Sequence, residues 1–383
     1  MILPPQRDRF DLPRELCYLN AAYMTPFPRA FEDIGRAALQ GRTRPWETEP
    51  ADFFDRSERV RALAGQIFDA PADAIALVPA VSYAVATAAR NMAIGEGDVI
   101  LTLADEFPSN YYGWQRLADE RGAVVETIPG PPERNWTEAV EQALDRHGEQ
   151  VALLAVPHVH WSTGAVLDLA RVRALTRKIG AALFLDLTQS LGALPVSMRE
   201  IEPDFAVAAG YKWLFGPYAL GYFYVAPQHR NGRPLEENWI ARAGSENFRS
   251  LSDYRSDYQP AARRFDMGER SNFLLMPMAE AALEMVLDWG PDSIAATLRA
   301  LTDRLAERLE SAGFACTPRA WRAPHLMAAR HPEIPAEAIL PKWRNSGVVV
   351  SARGAWIRIA PHLWIDSDDE SRFGDAVSSP DIE

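Results

Sequence analysis

Cysteine is almost missing from this chain: Cys17 and Cys316 are the only two among 383 residues. They lie far apart and neither belongs to a metal-ligand spacing, which excludes a disulfide scaffold or a zinc module and agrees with a cytoplasmic compartment. Long apolar runs are missing as well. No window approaches the ~18 uninterrupted apolar residues of a membrane span, and the opening MILPPQRDRFDLPRE has no apolar core ahead of a cleavage signal; the expectation is a soluble intracellular protein. Basic clusters are absent: the net charge is −12 and Lys and Arg are scattered. A nucleic acid or an anionic membrane is therefore not an expected partner, although a small anion can still be held locally. No G-x-G-x-x-G turn follows the first strand, which argues against a nicotinamide-binding enzyme. Internal repeats and low-complexity tracts are lacking too.

What is present is the composition of an ordinary globular protein, 48% hydrophobic and 24% charged, long enough for one large and one smaller domain. Between residues 75 and 225, short apolar runs alternate with amphipathic stretches, the pattern of a mostly parallel sheet wrapped by helices. The strands expected are IALV from Ile75, DVILTL from Asp98, VALLAV from Val151, AALFLD from Ala181, DFAVAA from Asp204 and GYFYV from Gly221. Spaced apolar faces predict helices over 84–92, 111–120, 137–146 and 169–179. Residues 227–272 are rich in Arg, Ser, Asp and Gly without periodicity and read as long loops. Amphipathic helices follow over 275–289 and 292–312, and GVVVS from Gly347 with AWIRIA from Ala355 predicts a small α+β unit. The organisation expected is an arm over 1–25 that packs with the small domain, a large α/β domain over 26–255 and a small C-terminal domain over 256–383.

Two groups carry chemistry. Asp186 ends the apolar run FLD of FLDLTQSLGA, and the carboxyl edge of such a sheet is where ligands of open α/β folds collect. Lys212, in AAGYKWLFGP, follows one strand later. A lysine buried beside apolar walls has its ammonium form disfavoured, the condition for an amine that must form an imine. Pyridoxal 5'-phosphate (PLP) requires both groups, a lysine as covalent anchor and an acid that keeps its ring nitrogen protonated.

The D-x-x-Q stretch followed by Y-K-x-x-x-G-P resembles the class V aminotransferases, PLP enzymes of fold type I that include cysteine desulfurases, isopenicillin N epimerase-like proteins and kynureninases. YLNAAYMTPFP near residue 18, EFPSN at 106–110, PHVHWSTGAVLDL at 157–169, RRFDMGERSNF at 263–273 and IRIAPHLW at 357–364 follow in the family's order. The resemblance implies a large domain with a mostly parallel sheet and a small α+β domain. It implies that Lys212 forms the Schiff base and moves the α-proton, that Asp186 pairs with the pyridinium, and that Gln189 donates to the phenolate oxygen. Phe107 takes the place of a stacking histidine, as in kynureninases. Val81 and Ser82 would open a helix whose N–H groups hold the phosphate, with Ser82 also suited to cap it. Tyr211 would donate to the same phosphate; the serine often found two residues before it is Ala209 here.

The resemblance places Ser271 and Asn272 on a loop that reaches a partner subunit's phosphate, hence a homodimer with shared sites, against a plain helix cap as the competing reading. Arg358 matches the arginine that grips a substrate α-carboxylate, with Arg353 a weaker candidate. His158 and His160 have no third ligand at metal spacing; His158 and Thr163 are expected around the cofactor, and His160 and Trp161 around the substrate. Trp161 departs from the asparagine of desulfurases, while Thr163 and Gly164 fit the family's T-G turn.

These motifs identify the cofactor and not the bond that breaks. Cysteine desulfurases need a nucleophilic cysteine ahead of the C-terminal arginine, and GVVVSARGAWIRIA has none. The expectation is a small α-amino acid deprotonated at Cα by Lys212, then cleaved or eliminated at Cβ as in a lyase. Transamination and epimerisation are the alternatives. A catalytically silent regulator on this fold would have lost the lysine or the aspartate, and both are present. The substrate-selecting side chains are expected in 227–270 and in the partner subunit.

Overall fold

The structure is a computed structural model that describes residues 1–131 and 135–378; the end of the expected small domain, 379–383, lies outside the described residues. The chain opens with a two-residue strand β1 (Cys17–Tyr18) and helices α1 (Ala30–Arg42) and α2 (Asp55–Phe68). Alternation follows: β2 (Ile75–Val78), α3 (Val81–Asn91), β3 (Val99–Leu103), α4 (Tyr112–Arg121), β4 (Val124–Ile128), α5 (Trp136–His147), β5 (Val151–Pro157), α6 (Leu169–Ile179), β6 (Ala182–Asp186), α7 (Met198–Ile201), β7 (Phe205–Ala209) and β8 (Gly221–Val225). The remainder is α8 (Met276–Trp289), α9 (Pro291–Ser311), β9 (Ala315–Cys316), β10 (Met327–Arg330), α10 (Ala336–Asn345), β11 (Val348–Val349), β12 (Ser351–Arg353), β13 (Trp356–Ile359) and α11 (Ser367–Val377).

Seven strands form one sheet in the order β2-β8-β7-β6-β5-β3-β4. Neighbours from β7 to β4 run parallel, and β8 runs antiparallel to both β2 and β7. Strands β2, β3, β7 and β8 are buried at every residue, and β5 and β6 at all but one. Continuous apolar runs of this kind suit a sheet covered on both faces. Apolar clusters fill the two sides, one holding Leu101, Leu154, Leu183 and Leu185, the other Ile100, Leu153, Phe184 and Phe205.

The topology brings one end of all seven strands to one edge. Parallel strands β3, β4, β5, β6 and β7 all end there. Because Gly221 pairs with both Val78 and Ala209, the end of β2 and the start of β8 lie at the same edge. That is the crevice beyond the carboxyl ends of the strands, where open α/β sheets bind ligands.

A second, antiparallel sheet has the order β12-β13-β10-β9, and β11 pairs in parallel with β1. The turn at Gly164 joins the two sheets: its φ is +69° and an added Cβ would stand 2.2 Å from the Leu326 carbonyl oxygen, so only glycine fits. Residues 227–272 hold helical turns of the short 3-10 kind, at Pro227–His229, Phe248–Ser250 and Ala261–Phe265, and a bridge from Arg242 to Tyr258. They are anchored by Asp266, which is fully buried, accepts from Arg61 at 2.7 Å and from the Leu77 N–H at 2.7 Å, and pairs with Arg270. Removing one member of such a buried ion network costs about 3–5 kcal/mol.

Candidate active site

A cavity of about 220 Å³ opens at that edge, with Val81, Glu106, Phe107, Trp161, Asp186, Thr188, Gln189, Ala209, Tyr211 and Lys212 in its wall. Lys212 follows β7 and is only 6% exposed. Its Nζ lies 5.3 Å from the centre of the Phe107 ring and 5.6 Å from that of Tyr211. Burial pushes its pKa down to about 8; Asp186 opposes that shift, and Arg358 and Arg353 add to it. Asp186, the last residue of β6, accepts from the Thr188 N–H at 2.9 Å. Burial raises its pKa, against the Thr188 hydrogen bonds and the charge of Lys212. Low polarity thus disfavours both charges of the pair.

Phe107 stands edge-on to Trp161, ring centres 5.5 Å apart. The Trp161 indole N–H donates to the Asp105 carbonyl at 2.6 Å, which fixes the ring. At the opposite corner Pro79, Ala80 and Val81 bring the N-terminus of α3 to the wall. The N–H groups of Tyr83 and Ala84 turn back to the Ala80 carbonyl; those of Val81 and Ser82 precede the first helical bond and remain available to an anion.

Several expected site residues stand elsewhere. Ser82 does not cap α3: Ala80 occupies the N-cap position without a side-chain bond, and the Ser82 side chain is exposed. Gln189 reaches the wall, but its amide donates to the Ala22 carbonyl at 3.0 Å and accepts from the Trp213 indole at 2.9 Å, so its donor is engaged away from the cavity. His158 and His160 alternate with the wall residues Pro157, Val159 and Trp161 and face away. Burial lowers the pKa of His158 to about 4. His160 stacks on Trp136 at 5.0 Å, with Nε2 3.1 Å from the Ala104 carbonyl and Nδ1 3.2 Å from the Thr163 hydroxyl. Thr163 is thereby part of the turn and not of the wall.

Asn272 accepts from the Leu274 and Leu275 N–H groups at 3.1 and 3.0 Å, just ahead of α8, and with Ser271 it lies outside this cavity. None of 227–270 contributes to the wall. Arg358 is 1% exposed on β13 and donates through Nη1 to the Trp161 carbonyl at 3.1 Å; its Nε and Nη2 have no partner.

The wall residues that escaped the sequence reading include Thr188 and Glu106. Thr188 accepts from the Ala209 N–H at 3.2 Å, bracing the ends of β6 and β7. Glu106 accepts from the Phe107 N–H at 2.7 Å and leaves its Oε2 enclosed without a partner. Burial, then the charge of Asp186, hold its pKa well above the usual carboxylate range. A carboxyl followed by an aromatic and a proline after a strand was the available signal.

The aminotransferase class-V family model matches residues 40–359. The chain belongs to that family. The class-V chain is 26% identical over 366 residues to an uncharacterised aminotransferase of Bacillus subtilis, YcbU, covering 95% of this chain and 93% of that one. It is 28% identical over 324 residues to a kynureninase of Deinococcus radiodurans, covering 80% and 74%. Among solved structures, a C-DES variant with glycine covalently linked to its PLP cofactor superposes with a TM-score of 0.85 at 18% identity, over 98% and 99% of the two chains. The apo cysteine desulfurase of Thermococcus onnurineus gives a TM-score of 0.81 at 18% identity over 98% of each chain. These neighbours establish the fold. The class-V family works with PLP, and the wall residues suit it: a buried amine and carboxylate, an aromatic lid and free N–H groups at a helix start. PLP is the cofactor of this enzyme.

Proposed function

We propose that this enzyme cleaves or eliminates at Cβ of a small α-amino acid. The observation that carries the reading is a buried amine, at Lys212, facing the cavity with its pKa pushed down to about 8, while neither thiol lies in the wall. Bound here, PLP supplies the electron sink for the pair released when a bond at Cα breaks. Lys212 would hold the cofactor and is placed to take the Cα proton as general base. The Asp186 carboxylate would pair with the ring nitrogen, and Phe107 would pack against the ring. The Val81 and Ser82 N–H groups and the Tyr211 hydroxyl would hold the phosphate, and Arg358 would hold the substrate carboxylate.

Neither cysteine is suited to receive sulfur. Cys17 is buried in β1 and Cys316 lies on β9, and burial pushes the Cys316 thiol up to about 12. The similarity to kynureninases and to a structure described as a cystine C-S lyase supports cleavage at Cβ, whereas the full-length match to YcbU favours transamination as the second reading.

A cytoplasmic homodimer completes the proposal. Ser271 and Asn272 would extend toward the partner's phosphate, and exposed Leu39, Trp46 and Tyr254 would be covered by the partner. No helix among the described residues is long and apolar enough to cross a membrane. The test is keto-acid release from amino acids by the cofactor-loaded enzyme, with and without a keto-acid acceptor. Release without acceptor is expected; turnover only with acceptor would replace the lyase by a transaminase.

A further inference from the structure

Arg358 and Arg353 share one indole. Their guanidinium carbons lie 6.0 and 5.3 Å from the centre of the Trp161 ring, so the two charges are no farther apart than those distances together. Strand pairing sets this up. Ser351 stands opposite Arg358 and Arg353 opposite Trp356 in the β12-β13 hairpin, which keeps both arginines on one short ribbon beside the Trp161 turn.

Among the described residues neither arginine has a carboxylate within ion-pair distance. The protein contacts they have are carbonyls: Arg358 donates to Trp161 and Arg353 to Ala352. Arg358 is buried with two N–H donors unsatisfied. The ionisable groups around the pair are Lys212, Tyr18 and Tyr23, and Arg353 itself bears on Arg358. Both guanidiniums meet the cavity through Trp161, a wall residue, and the cavity's own carboxylates do not answer them: Asp186 bears on Lys212 and on Glu106, and neither acid bears on Arg353 or Arg358. One α-carboxylate satisfies one planar fork, and leaves the half-buried Arg353 guanidinium without a counterion.

We propose that the substrate carries two acidic groups, Arg358 taking one carboxylate and Arg353 the other across the Trp161 indole. This deepens the reading of the site given above and rests on it. Trp161, fixed by its bond to Asp105, acts as the spacer. A four- or five-carbon diacid, with ion-pair contacts of about 4 Å at each end, spans the arginines. An uncharged amino acid of the same length leaves Arg353 unanswered.

The experiment is calorimetric titration of the cofactor-loaded enzyme with succinate and with butyrate, which has the same carbon count and one carboxylate fewer. Wild-type enzyme is expected to bind succinate at least ~10-fold more tightly. Arg353→Gln is expected to erase that advantage and Arg353→Lys to keep part of it, with the visible cofactor band unchanged in both. Equal affinities in the wild type, failure of both acids to bind, or an equal loss of both in Arg353→Gln overturns the inference; should that variant misfold, the wild-type comparison decides alone. Absence of the cofactor band sinks the function proposed above, whereas a normal band without a succinate preference sinks only the diacid.

Discussion

The amine at Lys212 gives the sharpest quantitative test. With a pKa of about 8 in place of 10.5, roughly one-tenth of it is neutral at pH 7, against about 0.03% of an ordinary lysine, a ~300-fold gain in reactive base. Burial is the largest cause, and Asp186 is what restrains it. Enzyme stripped of cofactor and mixed with PLP should therefore take it up at a rate that climbs with pH and levels off with a midpoint near 8. Asp186→Asn should move that midpoint lower. The same difference has a stability counterpart. Between pH 8 and 10.5 the unfolded lysine holds more proton than the folded one, so stability rises with pH through that window, by about 3 kcal/mol in total. Lys212→Met should lack the rise in urea denaturation of the stripped protein. An uptake rate that keeps climbing tenfold per pH unit past pH 9.5, with parallel stability curves for the two chains, would refute the account.

Gly164→Ala should destabilise by about 3 kcal/mol or more, since a side chain there combines a left-handed backbone with an overlap on Leu326; urea unfolding checks it, and a loss under 1 kcal/mol contradicts the packing described. Glu106→Gln removes a carboxyl whose folded pKa is raised. Wild-type stability falls as pH rises above the unfolded value of 4.5, so the variant should gain in relative Tm from pH 5 to pH 8; a constant difference argues against a neutral acid in the cavity. The double variant Cys17→Ala, Cys316→Ala should release keto acid within about twofold of wild type if no thiol takes part, and a tenfold drop in kcat would restore a persulfide mechanism.

The strands from Ile75, Asp98, Val151, Ala181, Asp204 and Gly221 were legible because each is an unbroken apolar run buried on both faces. VVETI was missed: β4 is an edge strand, mostly half-exposed or exposed, with Glu126 and Thr127 on it. The antiparallel direction of β8 was not legible either, since strand polarity leaves no mark on an apolar run. GVVVS reads as one strand yet divides at Val350, its first part pairing with β1 and its second with β13. Helix α10 contains Pro341, which argues against a helix in any local reading.

At the site, Asp186 and Lys212 were legible from their places at the end of and just after apolar strands, whereas Phe107, Trp161 and Tyr211 were named only through the family resemblance; all five line the cavity. His158 and His160 alternate with the wall residues Pro157, Val159 and Trp161, a parity that the irregular turn after β5 hides in the sequence. Gln189 lies in the cavity wall, and only the fold reveals that its amide is tied to Ala22.

That tie belongs to a longer seam. Residues 17–25 pair with Val348–Val349, bridge Asn20 to Ala360, and receive the Gln189 amide at Ala22. From Thr25 a hydroxyl donates to the Lys212 carbonyl at 2.8 Å. During synthesis the seven-stranded sheet can assemble as soon as residue 225 has left the ribosome, whereas the seam must wait for residue 360. Maturation of the pocket is thus one of the last events in the life of the nascent chain.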